Sequence, residues 1–150
     1  MADSIEFFFD FSSPYGYLAA HRIDNIGQKY NCDVLWRPFL LGGVLQVNGQ
    51  APLTDQALKW DYSKHDIVRA ARRYNIGWRL PEPFPIATQS AGRAFYWIEE
   101  NDAEIAKQFA LFVYQKYFVE GIDIRSKNIV AGLAVDFGLD VDECLFAIDS

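Results

Sequence analysis

The first forty residues alternate between short apolar runs and a helical pattern. Ile5–Asp10 is a continuous apolar run rich in phenylalanine and too short for a helix. It therefore predicts a strand buried on both faces, as in a parallel sheet. Apolar residues at helical spacing predict a helix from Pro14 to about Tyr30, and Asp33–Arg37 predicts a second strand. This order favours a right-handed crossover between two parallel strands.

The rest of the chain is predicted to be helical after a glycine-rich connector. The connector is "PFLLGGVLQVNGQAP", in which "VLQV" is too short and too glycine-flanked to complete a sheet. Prolines make "IGWRLPEPFPI" irregular. Asp102 and Ser126 suit N-caps, and Asp140 with Glu143 resembles a capping box. The expected helices cover about 54–74, 88–100, 103–120, 126–138 and 141 onward.

These elements predict one domain with part of its sheet missing. A chain of 150 residues, 51% of them hydrophobic, can bury one core. A buried sheet needs three or more strands, but only two are convincing, and the last helix starts shortly before Ser150. We expect a single incomplete domain over 1–150. It comprises a β-α-β half over 1–40, a helical insertion over about 54–138 and the start of another helix over 139–150.

Composition and charge narrow the class of function. The net charge of −6 and the pI near 4.8 argue against nucleic acid, because phosphate binding needs a basic face. The start "MADSIEFF" predicts no signal peptide, and no apolar stretch approaches the ~20 residues of a membrane span. Cys32 and Cys144 form no metal-ligand pattern, so no metal is expected. The expected location is the reducing cytoplasm.

The turn "DFSSPYG" at residues 10–16 is the first candidate site. Ser13 fits an N-cap and Pro14 fits the first helical position. The turn then lies at the carboxyl end of a parallel strand, where α/β sheets hold ligands, and the helix start suits an anion or thiolate. Ser13 as a helix cap alone stays an open alternative. A hydrolase triad is disfavoured, because His21 is about 12 Å of helical rise away and nothing places His65 nearby.

A polar stripe on the helix expected over 54–74 is the second candidate feature. Spacings of three, four, three and four residues place five side chains on one face: Lys59, Tyr62, Asp66, Arg69 and Arg73. The opposite face carries, less regularly, Leu58, Trp60, Ile67, Val68 and Ala71. Two interpretations stay open. The stripe is either a solvated face with local Asp66–Arg69 pairing, or it directs Lys59 or Arg69 toward a ligand carboxylate.

Four stretches stand out when they are taken together: "FFFDFSSPYGYLA", "WRPFLLGG", "LKWDYSKHDIVRAARRYNI" and "FPI". In this order they resemble the 2-hydroxychromene-2-carboxylate isomerases, relatives of the kappa-class glutathione transferases and DsbA-like disulfide oxidoreductases. The resemblance runs from about Ile5 to Ser150. It implies an α/β, thioredoxin-like (DsbA-like) fold with an all-helical insertion, whose C-terminal strands are absent from this chain. Where redox relatives have Cys-x-x-Cys, this chain has Ser13-Pro14-Tyr15-Gly16, which excludes dithiol exchange at this turn.

The resemblance implies a glutathione-dependent isomerase of an aromatic 2-oxo acid, in aromatic catabolism. The implied role of Ser13 is to donate a hydrogen bond to the glutathione thiolate, which adds reversibly to the substrate and permits bond rotation. Lys59 matches a contact to a glutathione carboxylate, and Gln50 and Asn48 are the nearest candidates for a family asparagine. The implied pocket residues are Pro14, Tyr15, Phe39, Tyr62 and Asp66.

Two further functions stay open beside the isomerase. One is a kappa-like glutathione transferase or thiol-dependent reductase that acts on other electrophiles. The other is a non-catalytic thioredoxin-like module that binds glutathione or a peptide strand. The expected partner is a small aromatic acid, with neither nucleic acid nor membrane, and the sequence leaves a homodimer open.

Overall fold

The computed structural model describes residues 3–150, so the first two residues of the expected β-α-β half lie outside the described part. The described residues form two strands, eight α-helices and two short 3-10 helices at Leu53–Asp55 and Val135–Phe137. The strands and α-helices are β1 Ser4–Phe9, α1 Pro14–Ala20, α2 Ile23–Tyr30, β2 Asp33–Pro38, α3 Leu41–Val47, α4 Ala57–Arg73, α5 Gln89–Glu99, α6 Ala103–Phe118, α7 Lys127–Ala134 and α8 Val141–Asp149.

The chain divides into two compact units. One ends at Trp78 and holds both strands with helices α1 to α4, and the other covers Arg79–Ser150 with helices α5 to α8. The strands pair in parallel, with Ser4 opposite Asp33 at one end and Phe9 opposite Pro38 at the other. This pairing confirms the parallel β-α-β arrangement expected from the sequence. The expectation of a single domain stays a prediction.

Only one face of the two-stranded sheet is buried. On that face Phe7 and Phe9 pack edge-on against Trp36, with ring centroids 5.2 and 5.4 Å apart. On the other face Phe8 is 59% exposed and Leu35 is 37% exposed. The expectation that the first strand is buried on both faces is therefore wrong. An unbroken apolar run hides the two-residue alternation that would have revealed the exposed face.

The helix expected over 14–30 is broken into α1 and α2. No proline or glycine lies at the break, where Arg22 precedes α2. Before the break, the Tyr17 hydroxyl donates to the carbonyl of Gly77, 60 positions along the chain. At the break, the Arg22 guanidinium lies 3.7 Å from the centroid of the Tyr74 ring. Contacts with a distant segment thus flank the break, and helical periodicity alone could not reveal them.

The glycine-rich connector contains a helix, which the sequence interpretation missed. Leu41–Val47 forms α3, and none of its residues is buried. The backbone N–H of Leu41 donates to Oδ2 of Asp10 over 2.8 Å, so a side chain after β1 holds the start of α3. A seven-residue apolar segment with two glycines carries too little periodicity to identify a helix.

The second unit is a cluster of four helices with an aromatic core. Its fully buried rings include Phe95, Phe109, Tyr114 and Phe118. Three expected N-caps are confirmed: Asp102 accepts from Glu104 and Ile105, Ser126 accepts from Ile129, and Asp140 accepts from Glu143. The helix expected over 126–138 ends earlier, because α7 stops at Ala134 and continues as the short 3-10 helix. Gly138 then ends that segment with a φ of 74°.

Gly27 in α2 is a position where a methyl group should destabilise the fold. A Cβ there would lie 2.6 Å from Cγ2 of Val34 and 2.8 Å from the carbonyl oxygen of Cys32. Gly27→Ala should therefore lower the free energy of unfolding by about 1–3 kcal/mol, because α2 must move away from β2. Gly132→Ala in α7 is the matched control, since nothing lies within 4 Å of its Cβ. It should raise stability by about 1 kcal/mol, the usual helical gain. Urea unfolding of both variants measures the difference, and a stabilised Gly27→Ala would contradict the close contact.

Candidate active site

The turn between β1 and α1 has the geometry expected from the sequence. Ser13 is the N-cap of α1, and its Oγ accepts a hydrogen bond from the N–H of Gly16 over 3.0 Å. Pro14 is the first helical residue and is buried. The N–H of Ser13 donates to the carbonyl of Asp10 over 2.9 Å. The predicted N-cap and the predicted proline position are both confirmed.

The Ser13 hydroxyl keeps a donor that the cap does not use. A serine hydroxyl has one hydrogen to donate and two lone pairs that accept. The cap uses a lone pair of Oγ, and no residue in the range 3–150 accepts the Ser13 hydroxyl hydrogen. Ser13 is half-buried. Its oxygen is therefore held in place while its hydrogen can be donated to a bound group.

Asp10 is part of this turn, and the sequence interpretation assigned it no role. The residue is only 7% exposed. Oδ1 accepts from the N–H of Ser12 over 2.8 Å, and Oδ2 accepts from the N–H of Leu41 over 2.8 Å. A carboxylate directly after an apolar strand is the one sequence signal that could have drawn attention to it.

Tyr15 connects the start of α1 to the middle of α4. Its hydroxyl donates to Oδ2 of Asp66 over 2.9 Å, and the Ser63 hydroxyl is near enough to interact with it. Burial raises the pKa of the Tyr15 phenol, the neighbouring Ser63 hydroxyl opposes this rise, and Asp66 raises the pKa further. The phenol therefore stays protonated and acts as a donor. Tyr62 is near enough to interact electrostatically with Tyr15.

Ser63 is a second residue that the sequence interpretation missed. It lies on the buried face of α4 with Ile67 and Ala71, at positions spaced by four residues. Its hydroxyl is near enough to the Tyr15 hydroxyl to affect the pKa of that phenol. Leu58, on the face opposite the polar stripe, is 88% exposed.

The polar stripe of α4 faces solvent along most of its length. Lys59, Tyr62, Arg69 and Arg73 are exposed, and Asp66 is half-buried. Arg69 lies 3.5 Å from Asp66, which agrees with the local pairing considered for this stripe. Lys59 forms no ion pair within the part of the chain that the structure describes. It lies three residues before Tyr62 on α4.

The remaining candidates lie on the segment after β2. Phe39 is half-buried, its N–H donates to the carbonyl of Phe9, and its ring meets Phe8 edge-on. Phe39 and the Ser13 turn therefore both lie at the carboxyl ends of the two parallel strands. Asn48 and Gln50 follow α3 and are exposed. No contact joins either amide side chain to Ser13 among residues 3–150.

The titratable side chains of His21, Cys32 and Cys144 lie outside the Ser13 turn. The His21 ring packs edge-on against Tyr17, and its partial burial lowers the pKa of the imidazole. Cys32 and Cys144 are free thiols, and burial raises the pKa of Cys144 to about 11. Within residues 3–150 no group of acidic, histidine or cysteine side chains could hold a metal ion. No described helix is both long enough and apolar enough to span a membrane.

Comparison with known proteins identifies the family. The sequence model of the DSBA-like thioredoxin domain matches residues 4–150. The chain belongs to this family. As a DSBA-like domain it has the thioredoxin-like fold with added helices that the sequence predicted.

Relatives of this DSBA-like domain carry a more specific name. A 2-hydroxychromene-2-carboxylate isomerase of Sphingobium xenophagum is 28% identical over 144 residues, covering 95% of this chain and 72% of the relative. One of Pseudomonas putida is 28% identical over 139 residues, covering 91% and 66%. A solved 2-hydroxychromene-2-carboxylate isomerase has a TM-score of 0.83 at 25% identity, covering 97% of this chain and 70% of that one. The chain therefore spans about two thirds to three quarters of the length of these isomerases.

The turn of this DSBA-like domain has no sulfur. Residues 13–16 read Ser-Pro-Tyr-Gly, so no thiol of the chain itself can exchange with a disulfide at this position. The names of the relatives support an isomerase family instead. The chemical groups available at the turn are the donor hydroxyl of Ser13 and the Tyr15 hydroxyl held by Asp66.

Proposed function

We propose that this DSBA-like protein is a glutathione-dependent isomerase of an aromatic 2-oxo acid of the 2-hydroxychromene-2-carboxylate type. The observation that carries the proposal is the Ser13 hydroxyl. Its oxygen is fixed by the Gly16 N–H, while its hydrogen has no acceptor in the described chain. The names of the relatives support the type of reaction and substrate.

The Ser13 turn suits an ionised sulfur. A hydroxyl donor stabilises a thiolate, and the start of a helix adds partial positive charge. Serine provides this donor without forming a mixed disulfide. The first N–H groups of a helix have no partner within it, and Ser13 satisfies only that of Gly16. Half-burial keeps the hydroxyl accessible while it removes part of the competing water.

Lys59 suits a carboxylate of the same ligand. Its ammonium is exposed and has no ion-pair partner among residues 3–150. The neighbouring Lys64 already pairs with Asp61 over 3.0 Å. In a chain with a net charge of −6, an anionic ligand needs such a local cation. Gln50 and Asn48 supply exposed amides that can bind the peptide groups of glutathione.

In the proposed reaction, glutathione performs the covalent chemistry, and the protein binds and orients it. When bound, glutathione supplies a thiolate that adds reversibly to the conjugated 2-oxo acid and permits rotation about a transiently single bond. Ser13 stabilises the negative charge on sulfur, and Lys59 orients the ligand by its carboxylate. Pro14, Tyr15, Phe39, Tyr62 and Asp66 line the side on which the aromatic acid binds.

The experiment that tests the proposal compares glutathione with S-methylglutathione, which lacks the thiol. With 2-hydroxychromene-2-carboxylate as substrate, we expect turnover with glutathione and none with S-methylglutathione or without a thiol. Turnover without glutathione would contradict the dependence. Conjugation of halogenated electrophiles without isomerisation would indicate a transferase. Binding of glutathione without turnover of either substrate class would indicate a binding module.

Lys59 should control the affinity for glutathione rather than the rate of the reaction. Lys59→Gln should raise the KM for glutathione by about tenfold, which corresponds to about 1.4 kcal/mol, with kcat changed less than about twofold. Lys64→Gln is the matched control, because it also removes one ammonium from α4. The Lys64 ammonium already pairs with Asp61, so it is not expected to bind the ligand. Steady-state kinetics at fixed ionic strength measures both variants. Equal KM values for the two would contradict the assignment.

A further inference from the structure

The Asp10 carboxylate joins the two chain segments that border the Ser13 turn. One carboxylate oxygen accepts from the N–H of Ser12 and the other from the N–H of Leu41, each over 2.8 Å. The Asp10 carbonyl also accepts from the N–H of Ser13 over 2.9 Å. One residue, 7% exposed, therefore holds the turn before α1 and the first residue of α3.

A carboxylate suits this position better than any neutral side chain of the same size. Both contacts come from N–H donors, so both side-chain oxygens must accept. An asparagine would present its NH₂ group to one of these N–H groups, and that contact would become donor against donor. A buried carboxylate is tolerated only when it is hydrogen-bonded, and these two N–H groups provide such bonds.

The segment that Asp10 holds carries the far side of the candidate site. Phe39 lies two residues before Leu41 and is fixed to the end of β1 through the carbonyl of Phe9. The contact of Asp10 with Leu41 therefore sets where α3 begins relative to Ser13. No residue of α3 is buried, so little packing can fix the position of this helix.

We propose that Asp10 is a positioning residue for the reaction. Its carboxylate accepts from the N–H groups of Ser12 and Leu41 and so fixes the Ser13 hydroxyl relative to the Phe39–Leu41 segment. The hydroxyl is then aligned with the glutathione sulfur while the aromatic acid is bound. This inference rests on the proposed function of Ser13. It assigns Asp10 an effect on kcat, because a donor displaced by a fraction of an ångström still permits binding but loses alignment in the transition state.

The test compares Asp10→Asn with Asp24→Asn. Asp24 is the matched control, because its Oδ1 accepts from Nε1 of Trp36 over 3.0 Å, in the same unit but outside the Ser13 turn. We expect Asp10→Asn to lower kcat by about tenfold or more, with the KM for glutathione changed less than about threefold. Asp24→Asn should leave kcat unchanged, because the single amide oxygen of asparagine can still accept from Nε1 of Trp36. A similar loss of kcat in both variants would overturn the inference and indicate a general effect of losing one carboxylate.

Amide hydrogen exchange tests the same inference without relying on activity. Asp10→Asn should speed exchange at the N–H groups of Leu41 and Gly16, since the Gly16 N–H depends on where Ser13 Oγ lies. Asp24→Asn should leave both unchanged. If exchange at Gly16 is unaffected by Asp10→Asn, Asp10 does not position Ser13, whether or not glutathione is the ligand.

A double-mutant cycle separates this inference from the function of Ser13. If Asp10 acts through Ser13, Asp10→Asn should have no further effect on kcat once Ser13 is alanine. Additive losses would overturn the positioning role while the role of Ser13 stands. If Ser13→Ala alone keeps full turnover, the proposed function fails, and faster Gly16 exchange in Asp10→Asn would still support the positioning of the turn.

Discussion

Ser13→Ala should lower kcat for the glutathione-dependent isomerisation by about 100- to 1,000-fold, the usual effect of removing one donor to a developing anion. The structure holds the Ser13 oxygen by the Gly16 N–H and leaves the hydroxyl hydrogen available. Alanine removes that donor and also the cap, which should lower the free energy of unfolding by only about 1 kcal/mol. In a plot of kcat against pH, the rise on the acidic side should move to higher pH in Ser13→Ala, because the thiol of bound glutathione ionises less readily without the donor. Steady-state kinetics over a range of pH measures both effects.

Ser126→Ala provides the matched control for the loss of a helix cap. Ser126 caps α7 by accepting from the N–H of Ile129 over 3.3 Å, so its replacement removes a cap of the same kind in the other unit. This variant should keep full turnover. Ser13→Thr retains a hydroxyl and should stay within about tenfold of the parent protein. If Ser13→Ala loses no more activity than Ser126→Ala, Ser13 is a helix cap alone.

Phe9→Ala should strongly destabilise the first unit. Phe9 is 2% exposed and packs against Trp36 and Phe11, so its truncation should lower the free energy of unfolding by about 3–5 kcal/mol. Phe8→Ala makes the same change at the adjacent residue on the opposite face, where Phe8 is 59% exposed. It should cost less than about 1.5 kcal/mol, because water already reaches most of the ring.

Urea unfolding of the two phenylalanine variants also tests which face of the sheet is buried. The apolar run Ile5–Phe9 by itself predicts equal losses, since a strand buried on both faces would lose a packed ring at either position. The structure predicts a difference of at least about 1.5 kcal/mol between the two variants. Equal losses would mean that a further chain segment or a second copy covers the Phe8 face in solution.

The sequence predicted the N-cap at Ser13 correctly because the interactions that form the cap are local. Ser13 reaches the N–H of Gly16, three residues away, and Pro14 needs no partner at the first helical position. The caps at Asp102, Ser126 and Asp140 were predictable for the same reason, since each side chain bonds a backbone N–H two or three residues later.

The sequence could not reveal which distant side chains meet at the site. Asp10 and Leu41 are separated by 31 positions, and Tyr15 and Asp66 by 51. No sequence periodicity links the two residues of either pair, because they belong to different elements. The roles of Lys59, Asn48 and Gln50 stay predictions, since no described contact brings them to Ser13.

By itself, the sequence determined the two parallel strands, the helical majority of the chain, the capped serine and its family-typical turn, because patterning and short-range bonds specify them. Only the tertiary structure decided that one face of the sheet is exposed, that the first helix breaks near Arg22, and that Leu41–Val47 is a helix held by Asp10. The physical reason is the range of the interactions. Local bonds are encoded within a few residues, whereas burial and long-range hydrogen bonds depend on which segments the folded chain brings together.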